Sequence, residues 1–381
     1  MKNHFVTFSI FAFLFISCQT AKPVEKNTLN EAVQNKMEQL VLTHELPGFN
    51  FSIIYANGQQ ENYSSGFSDV ENQIPLTTNH LFFSGSIGKT YAVALLMQLV
   101  DEGKVDLKKP LKSYFPAINW LTQLPNIEEI TIEMLLQHRS GLPRWIMKKE
   151  TWDILHNQPD KVWSYKERLS YVFNEKPIHE AGKDWAYSDT NYLLIGMLIE
   201  KISGKPYYDL IQDNIIKAKK LSHTFPSLKR DIPRLAIGYS KLPAMFSIPN
   251  KVVNDGKYVF NPQVEWTGGG MYSTTADLAK WAKIYYEGQL FSEDRLNSIT
   301  AINPNGEKVT GKNSYGMGSF IYHTKYGDAF GHSGFMPGFN SLFIYFPKDK
   351  IAIALQANAD YADQEMSLEI ALEMIYPLLS L

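Results

Sequence analysis

"NSLFIYFPKDKIAIAL", residues 340–355, sets two apolar runs around Pro347-Lys348-Asp349-Lys350. Aromatic and β-branched runs separated by a short proline-and-charge break read as strand, turn, strand: Asn340 to Phe346, then Ile351 to Leu355. A hairpin of two strands is barely stable alone in water, so this one needs a partner. The other end of the chain supplies a candidate. Phe49 to Tyr55 reads as a strand, Asn57-Gly58 is a hairpin turn signal, and a second strand runs to about Phe67. Helical spacing brackets both hairpins. Val33, Met37, Leu40 and Val41 precede the first and stop at Pro47-Gly48; Met366, Ile370, Leu372 and Ile375 follow the second within Glu365 to Leu379. Between the ends, helical patterns dominate, as in Tyr91 to Val100, Tyr192 to Ile202 and Ala276 to Tyr286. The expectation is an α+β fold: one antiparallel sheet from both chain ends, packed with helices, with a mostly helical subdomain inserted. The sheet part takes residues 28–80 and 305–381, the helical part 81–304; three consecutive domains are the alternative.

The chain has 381 residues, 44% hydrophobic and 20% charged, which fits a folded globular protein. A formal net charge of -2 offers no basic excess to nucleic acid, so none is expected as a partner. Met1 to His4 carries positive charge, Phe5 to Ile16 is mostly apolar, and Ser17-Cys18 follows: an export signal over residues 1–17. Cys18 is the only cysteine, so no internal disulfide forms. "LFISC" resembles a lipobox, which makes Cys18 the expected lipidation site and residues 18–27 a polar tether to a membrane. The protein is expected to be exported, periplasmic or at the cell surface, anchored by lipid and monomeric.

The chemistry is sought in "FFSGSIGKTYAVALLMQLV", residues 82–100. A phosphate loop fails on spacing, because the glycine it requires falls on Phe83. A solvent-seeking lysine is also a poor fit: the helix after Lys89 is apolar nearly all round, and the first turn of a helix disfavours cations. The third reading pairs Ser86 with Lys89. Residues i and i+3 share a helix face, so the amine reaches the hydroxyl. Burial and the helix dipole are expected to push the lysine pKa down, leaving a neutral amine to take the serine proton. The same helix start offers backbone N–H groups to an oxyanion.

Two further stretches stand out. Tyr187-Ser188-Asp189 lies just ahead of an apolar helix; Y-x-[DN] starts at five tyrosines, and only Tyr187 sits at such a junction. Asp189 or Thr190 also suits a helix N-cap there. His332-Ser333-Gly334 is the only H-x-G, between glycines at an expected strand edge where the imidazole is exposed. In order, Ser86-Ile87-Gly88-Lys89, Tyr187-Ser188-Asp189 and His332-Ser333-Gly334 resemble the three motifs of the serine β-lactamase and penicillin-binding protein superfamily, in its class C β-lactamase-like branch. "ITIEMLLQHRSGLP" (130–143) and "GGGMYSTTADLAKWA" (268–282) resemble that branch too. The resemblance implies a β-lactamase/transpeptidase-like fold and a serine hydrolase acting on an ester or amide of a small molecule or peptide. Ser86 would form an acyl-enzyme, with Lys89 and Tyr187 shuttling its proton to the leaving group. The N–H groups of Ser86 and Phe335 would form the oxyanion hole, Gly334 and His332 would line the pocket, and Asp189 would position Lys89 or the substrate.

Two positions depart from the class C β-lactamase pattern: Asp189 stands for asparagine and His332 for lysine. Histidine is charged only part of the time near neutral pH, so a β-lactam carboxylate loses its permanent cation. A charged His332 would hold substrate carboxylates only at low pH. His-x-Gly is more similar to the peptidase and esterase members, with a β-lactamase or D-alanyl-D-alanine carboxypeptidase proper, or a non-catalytic peptidoglycan sensor, as alternatives. No metal or other cofactor is expected, and pocket shape is expected from the loops Arg144 to Asp160 and Leu242 to Asn261.

Overall fold

A computed structural model describes residues 26–306, 309, 313–361 and 364–379. In it, β1 (Gly48–Ile54) and β2 (Gln60–Asp69) form the N-terminal hairpin, with β3 (Ile74–Pro75) at its edge. Five strands come from the other end: β4 (Ser314–Tyr315), β5 (Phe320–Thr324), β6 (Gly327–Met336), β7 (Phe339–Phe346) and β8 (Ile351–Ala357). They make one sheet of eight strands in the order β3-β2-β1-β8-β7-β6-β5-β4. The two ends join at β1 and β8, antiparallel, with Phe49 opposite Ala357 and Ile53 opposite Ile353. That junction makes the two chain ends parts of one sheet.

Alternation along β7 shows how the sheet is covered. Leu342, Ile344 and Phe346 face a core shared with Val33, Met37, Ile370 and Met374, from helices α1 (Lys26–Thr43) and α5 (Gln364–Leu379). Phe343 and Tyr345 face the other way, into a core shared with the inserted helices. Both faces are covered, so β1, β7 and β8 are buried along their whole length. Each such large apolar side chain contributes about 1.5–3 kcal/mol on burial. Of the expected tether, Lys26 and Asn27 belong to α1; its remainder, the export signal and Cys18 lie outside the described residues.

In the inserted part, α2 (Gly88–Asp101) and α3 (Asp189–Ser203) are apolar on all sides and buried, and they pack on each other. Helix α4 (Thr275–Tyr286) crosses β1, β7 and β8 and ties α2 to the sheet. Tyr91 stacks on Trp281 at 4.2 Å, and Trp281 Nε1 donates to Thr90 Oγ1 at 2.8 Å. The start of α2 is thereby pressed against β6. A Cβ on Gly334 would lie 1.8 Å from Ser84 O, and one on Gly85 (φ +51°) 2.4 Å from Phe335 N. Only glycine permits such backbone contact, and it brings Ser86 beside Phe335.

Candidate active site

Ser86 stands in a single 3₁₀ turn, Gly85–Ile87, that runs directly into α2. One turn on, Lys89 is fully buried and donates three hydrogen bonds: to Ser86 Oγ at 2.9 Å, Asp189 Oδ1 at 2.8 Å and Gly268 O at 2.6 Å. An ammonium has one N–H bond for each of these three acceptors. Burial opposes that charge, but the carboxylate of Asp189 and the phenol of Tyr187 outweigh it, and the Lys89 pKa lies above its usual value. This corrects the expectation of an uncharged lysine. The helix start and the apolar walls do disfavour the cation, but a carboxylate 100 residues away in sequence decides the balance.

Asp189 is the first residue of α3, and its side chain makes no cap; Ser188 holds the N-cap position. Its other oxygen, Oδ2, accepts two bonds from Arg144, from Nε at 3.0 Å and Nη2 at 2.8 Å. Burial would raise its pKa, yet Arg144 and Lys89 hold the carboxyl well below the usual range. The other N-cap candidate, Thr190, instead donates to Pro143 O at 2.6 Å and accepts from Trp145 N, tying the Arg144 loop to α3.

Tyr187 projects its ring between two cations, with Lys89 Nζ 5.0 Å and Arg144 Cζ 5.3 Å from the ring centroid. Its buried hydroxyl makes no hydrogen bond of good geometry. Burial raises the phenol pKa, and the proximity of Lys89 and Ser86 offsets this only in part. The segment carrying Tyr187 is fixed by His138, which sits at φ +57°. Ser188 N donates to His138 Nδ1 at 3.1 Å, Ala186 N donates to His138 O at 3.0 Å, and the imidazole packs 4.1 Å from the Tyr187 ring. A backbone N–H on Nδ1 requires the neutral ring, and burial, then Lys89, keeps its pKa well below normal.

His332 is inside the sheet rather than exposed at an edge: β6 pairs with a strand on each side, and the residue is 1% exposed. Nδ1 donates to Ser333 O at 2.5 Å, and Nε2 faces Tyr315 Oη at 3.4 Å. Burial, with Lys89 nearby, pulls its pKa down to about 3. The imidazole is thus neutral at rest, which disfavours the low-pH capture of carboxylates expected of His332. The ring still lines the site.

Ser86 opens on two lobes that share Arg144 and Phe335 in their walls. One, about 450 Å³, holds Tyr187, His332 and Gly334; the other, about 350 Å³, holds Ile146, Trp152, Phe246 and Glu265. The structure thus gathers Ser86, Lys89, Tyr187, Asp189, His332, Gly334 and Phe335 in one place. Sequence reasoning missed Arg144, His138 and Glu265. Arg144 directly follows "HRSGLP", and Glu265 is a lone acid ahead of Gly268-Gly269-Gly270, but no spacing rule links either to Ser86. The run Gly268-Gly269-Gly270 has its reason here: a Cβ on Gly269 would lie 2.8 Å from Gly85 O.

Known proteins share this arrangement of sheet and helices. The sequence profile of the Beta-lactamase family matches residues 29–374. Penicillin-binding protein 4* of Bacillus subtilis (strain 168) is 25% identical over 362 residues, which cover 90% of this chain and 76% of that protein. The D-stereospecific amidohydrolase from Streptomyces sp. superposes with a TM-score of 0.76 at 25% identity, over 89% of this chain and 97% of its own. The D-amino acid amidase from Ochrobactrum anthropi SV3, solved with L-phenylalanine amide, gives 0.76 at 25% identity, over 91% and 98%. With the match running through nearly the whole described chain, this protein belongs to the Beta-lactamase family and is a serine hydrolase of the β-lactamase and penicillin-binding protein superfamily.

Proposed function

We propose that this protein is an exported amidase or esterase that works through an acyl-enzyme on Ser86. The three-way hold on Lys89, with Ser86 Oγ as one of its acceptors, is the observation that carries the reading. Because Lys89 donates to Ser86, the serine proton is directed away from the amine, and Tyr187 is the nearby group with an open hydroxyl. The reactive form is the Lys89–Tyr187 pair with one proton fewer than at rest. Its phenolate, stabilised by Lys89 and Arg144, takes the Ser86 proton and then gives it to the leaving group. Backbone N–H groups of Ser86 and Phe335 receive the oxyanion. Lipid on Cys18 would tether the enzyme outside the cytoplasm; a Cys18→Ala protein should leave the membrane fraction, and retention there would count against the anchor.

The substrate side favours amides and esters of amino acids over β-lactams. The neutral His332 supplies no cation for a β-lactam carboxylate, and the superposed amidase is one solved with phenylalanine amide. The deciding experiment compares nitrocefin, a short-chain nitrophenyl ester, a D-Ala-D-Ala peptide and a D-amino acid amide, with intact mass read during each reaction. Turnover of the ester and the amide, with a transient adduct on Ser86, is expected. A single adduct that never releases would instead identify a sensor.

The pH dependence carries a sign. Asp189 raises the pKa of both Lys89 and Tyr187, so it holds the pair in the resting, fully protonated form. For Asp189→Asn, the rising limb of acylation rate against pH should move toward acid by about one unit or more. The check is kcat/KM for a neutral ester across the pH range. A limb that stays in place or moves to higher pH refutes this assignment of the proton pathway.

A further inference from the structure

Glu265 has no role in the chemistry above, yet it lines the same opening as Ser86. Its carboxyl rests against the glycines beside the nucleophile: Oε2 is 3.1 Å from the Cβ position of Gly269, whose backbone packs on Gly85. The lobe around it has an ion pair, Arg144 with Asp189, on one side and apolar or aromatic side chains on the other, among them Ile146, Trp152, Leu242 and Phe246. Among the described residues no hydrogen bond or ion pair reaches the Glu265 carboxyl. Arg144, the one cation in the lobe, is committed through two bonds to Asp189.

The backbone holds Glu265 there at a cost. Trp266, the next residue, has φ 40° and ψ -121°, a conformation that L-residues rarely adopt. Buried Arg168 clamps the preceding turn, with Nε donating to Val264 O and Nη2 to Gln263 O, both at 2.8 Å. On the far side, the Trp266 ring is packed against Tyr165 and Tyr207. A strained turn, fixed on both sides, thus delivers a carboxyl into the lobe next to the nucleophile. Glu265 is half-buried and its carboxyl faces the lobe, where a cationic group would give it a partner.

We infer that this lobe recognises the acyl half of the substrate, with Glu265 holding a protonated amine and Ile146, Trp152 and Phe246 holding an apolar side chain. The inference rests on Ser86 as the acylated residue and narrows the substrate class to amides or esters of apolar amino acids with a free amino group. Burial and Asp189 raise the Glu265 carboxyl to about 7, while Lys89, Arg144 and Arg168 pull it the other way. An ammonium arriving beside it favours the ionised form, so binding and ionisation reinforce each other.

The test uses methyl esters of D- and L-phenylalanine and of 3-phenylpropionic acid, which lacks only the amine. The wild-type protein should favour one phenylalanine ester over the des-amino ester by about ten- to a hundredfold in kcat/KM, as a charge-assisted hydrogen bond warrants. Glu265→Gln should lower kcat/KM for the preferred phenylalanine ester by at least about tenfold more than for the des-amino ester. No preference in the wild type, or an equal loss on all three esters in the variant, overturns the inference. Binding is checked apart from chemistry by calorimetry with 2-phenylethylamine on the Ser86→Ala protein. Affinity that falls about tenfold or more when Glu265→Gln is added supports the amine site. Unchanged affinity overturns it, even where the esters are turned over. If the amine binds but the wild type acylates nowhere on Ser86, the reading of Ser86 has failed and the amine site stands.

Discussion

Replacing Ser86 by alanine leaves a folded protein whose hydrolysis falls by at least about 10⁴-fold, because the acyl group then has no oxygen to occupy. The residual rate comes from the oxyanion N–H groups and binding alone. Folding should change little. Ser86 is partly exposed, and its hydroxyl supplies one of three acceptors for Lys89; Asp189 and Gly268 O remain. The loss of that bond costs about 1 kcal/mol. The measurement is turnover of a nitrophenyl ester together with labelling by a fluorophosphonate, mapped by peptide mass. Labelling should vanish with the hydroxyl. Ser84, two residues away and fully buried with an unpartnered Oγ, is the informative control. If the label reappears there, or persists on any other serine, Ser86 is not the nucleophile.

Lys89→Met has the second largest effect, a fall of about 10³-fold or more in acylation, within the span of general acid–base contributions. Without the cation, a Tyr187 phenolate loses its principal stabilisation, and Ser86 loses the donor that orients its oxygen. Stability also drops. Removing one partner of a buried pair costs about 3–5 kcal/mol, and the lower end applies because Arg144 still holds Oδ2 of Asp189. The two effects separate in the double variant Lys89→Met/Asp189→Asn. It removes the buried carboxylate as well, so the denaturation midpoint should recover in large part while the rate does not. A rate that returns with stability would make Lys89 a structural residue only. The pair also sets a pH window for stability. The raised Lys89 pKa makes its contribution complete below the ordinary lysine pKa of about 10.4 and lost above its folded value. The lowered Asp189 pKa makes its own contribution complete above about 3.9 and lost on acidification.

Helix and strand periodicity carried much of the architecture. The strands at Phe49 and Asn340, the turn at Pro347, and the buried helices after Lys89 and around Tyr192 all fall where apolar spacing puts them. Local spacing is enough there because the period of side chains along an element is set by the element itself. The i, i+3 contact of Ser86 with Lys89 is legible for the same reason. Exposure at His332 was not. Flanking glycines look like an edge, whereas the strand order puts β6 between β5 and β7.

From its sequence alone, this chain determines that its two ends make antiparallel strands, that a serine and a lysine meet at the foot of an apolar helix, and which superfamily its ordered motifs resemble. Tertiary structure alone decided the charges: Lys89 is an ammonium, His332 is neutral, Arg144 is committed to Asp189, and Glu265 has no partner among the described residues. The reason is physical. Contacts within an element follow from residue spacing, but a protonation state is set by whichever charged groups the fold brings within a few ångströms, and Asp189, Arg144 and Glu265 reach Ser86 from separate parts of the chain.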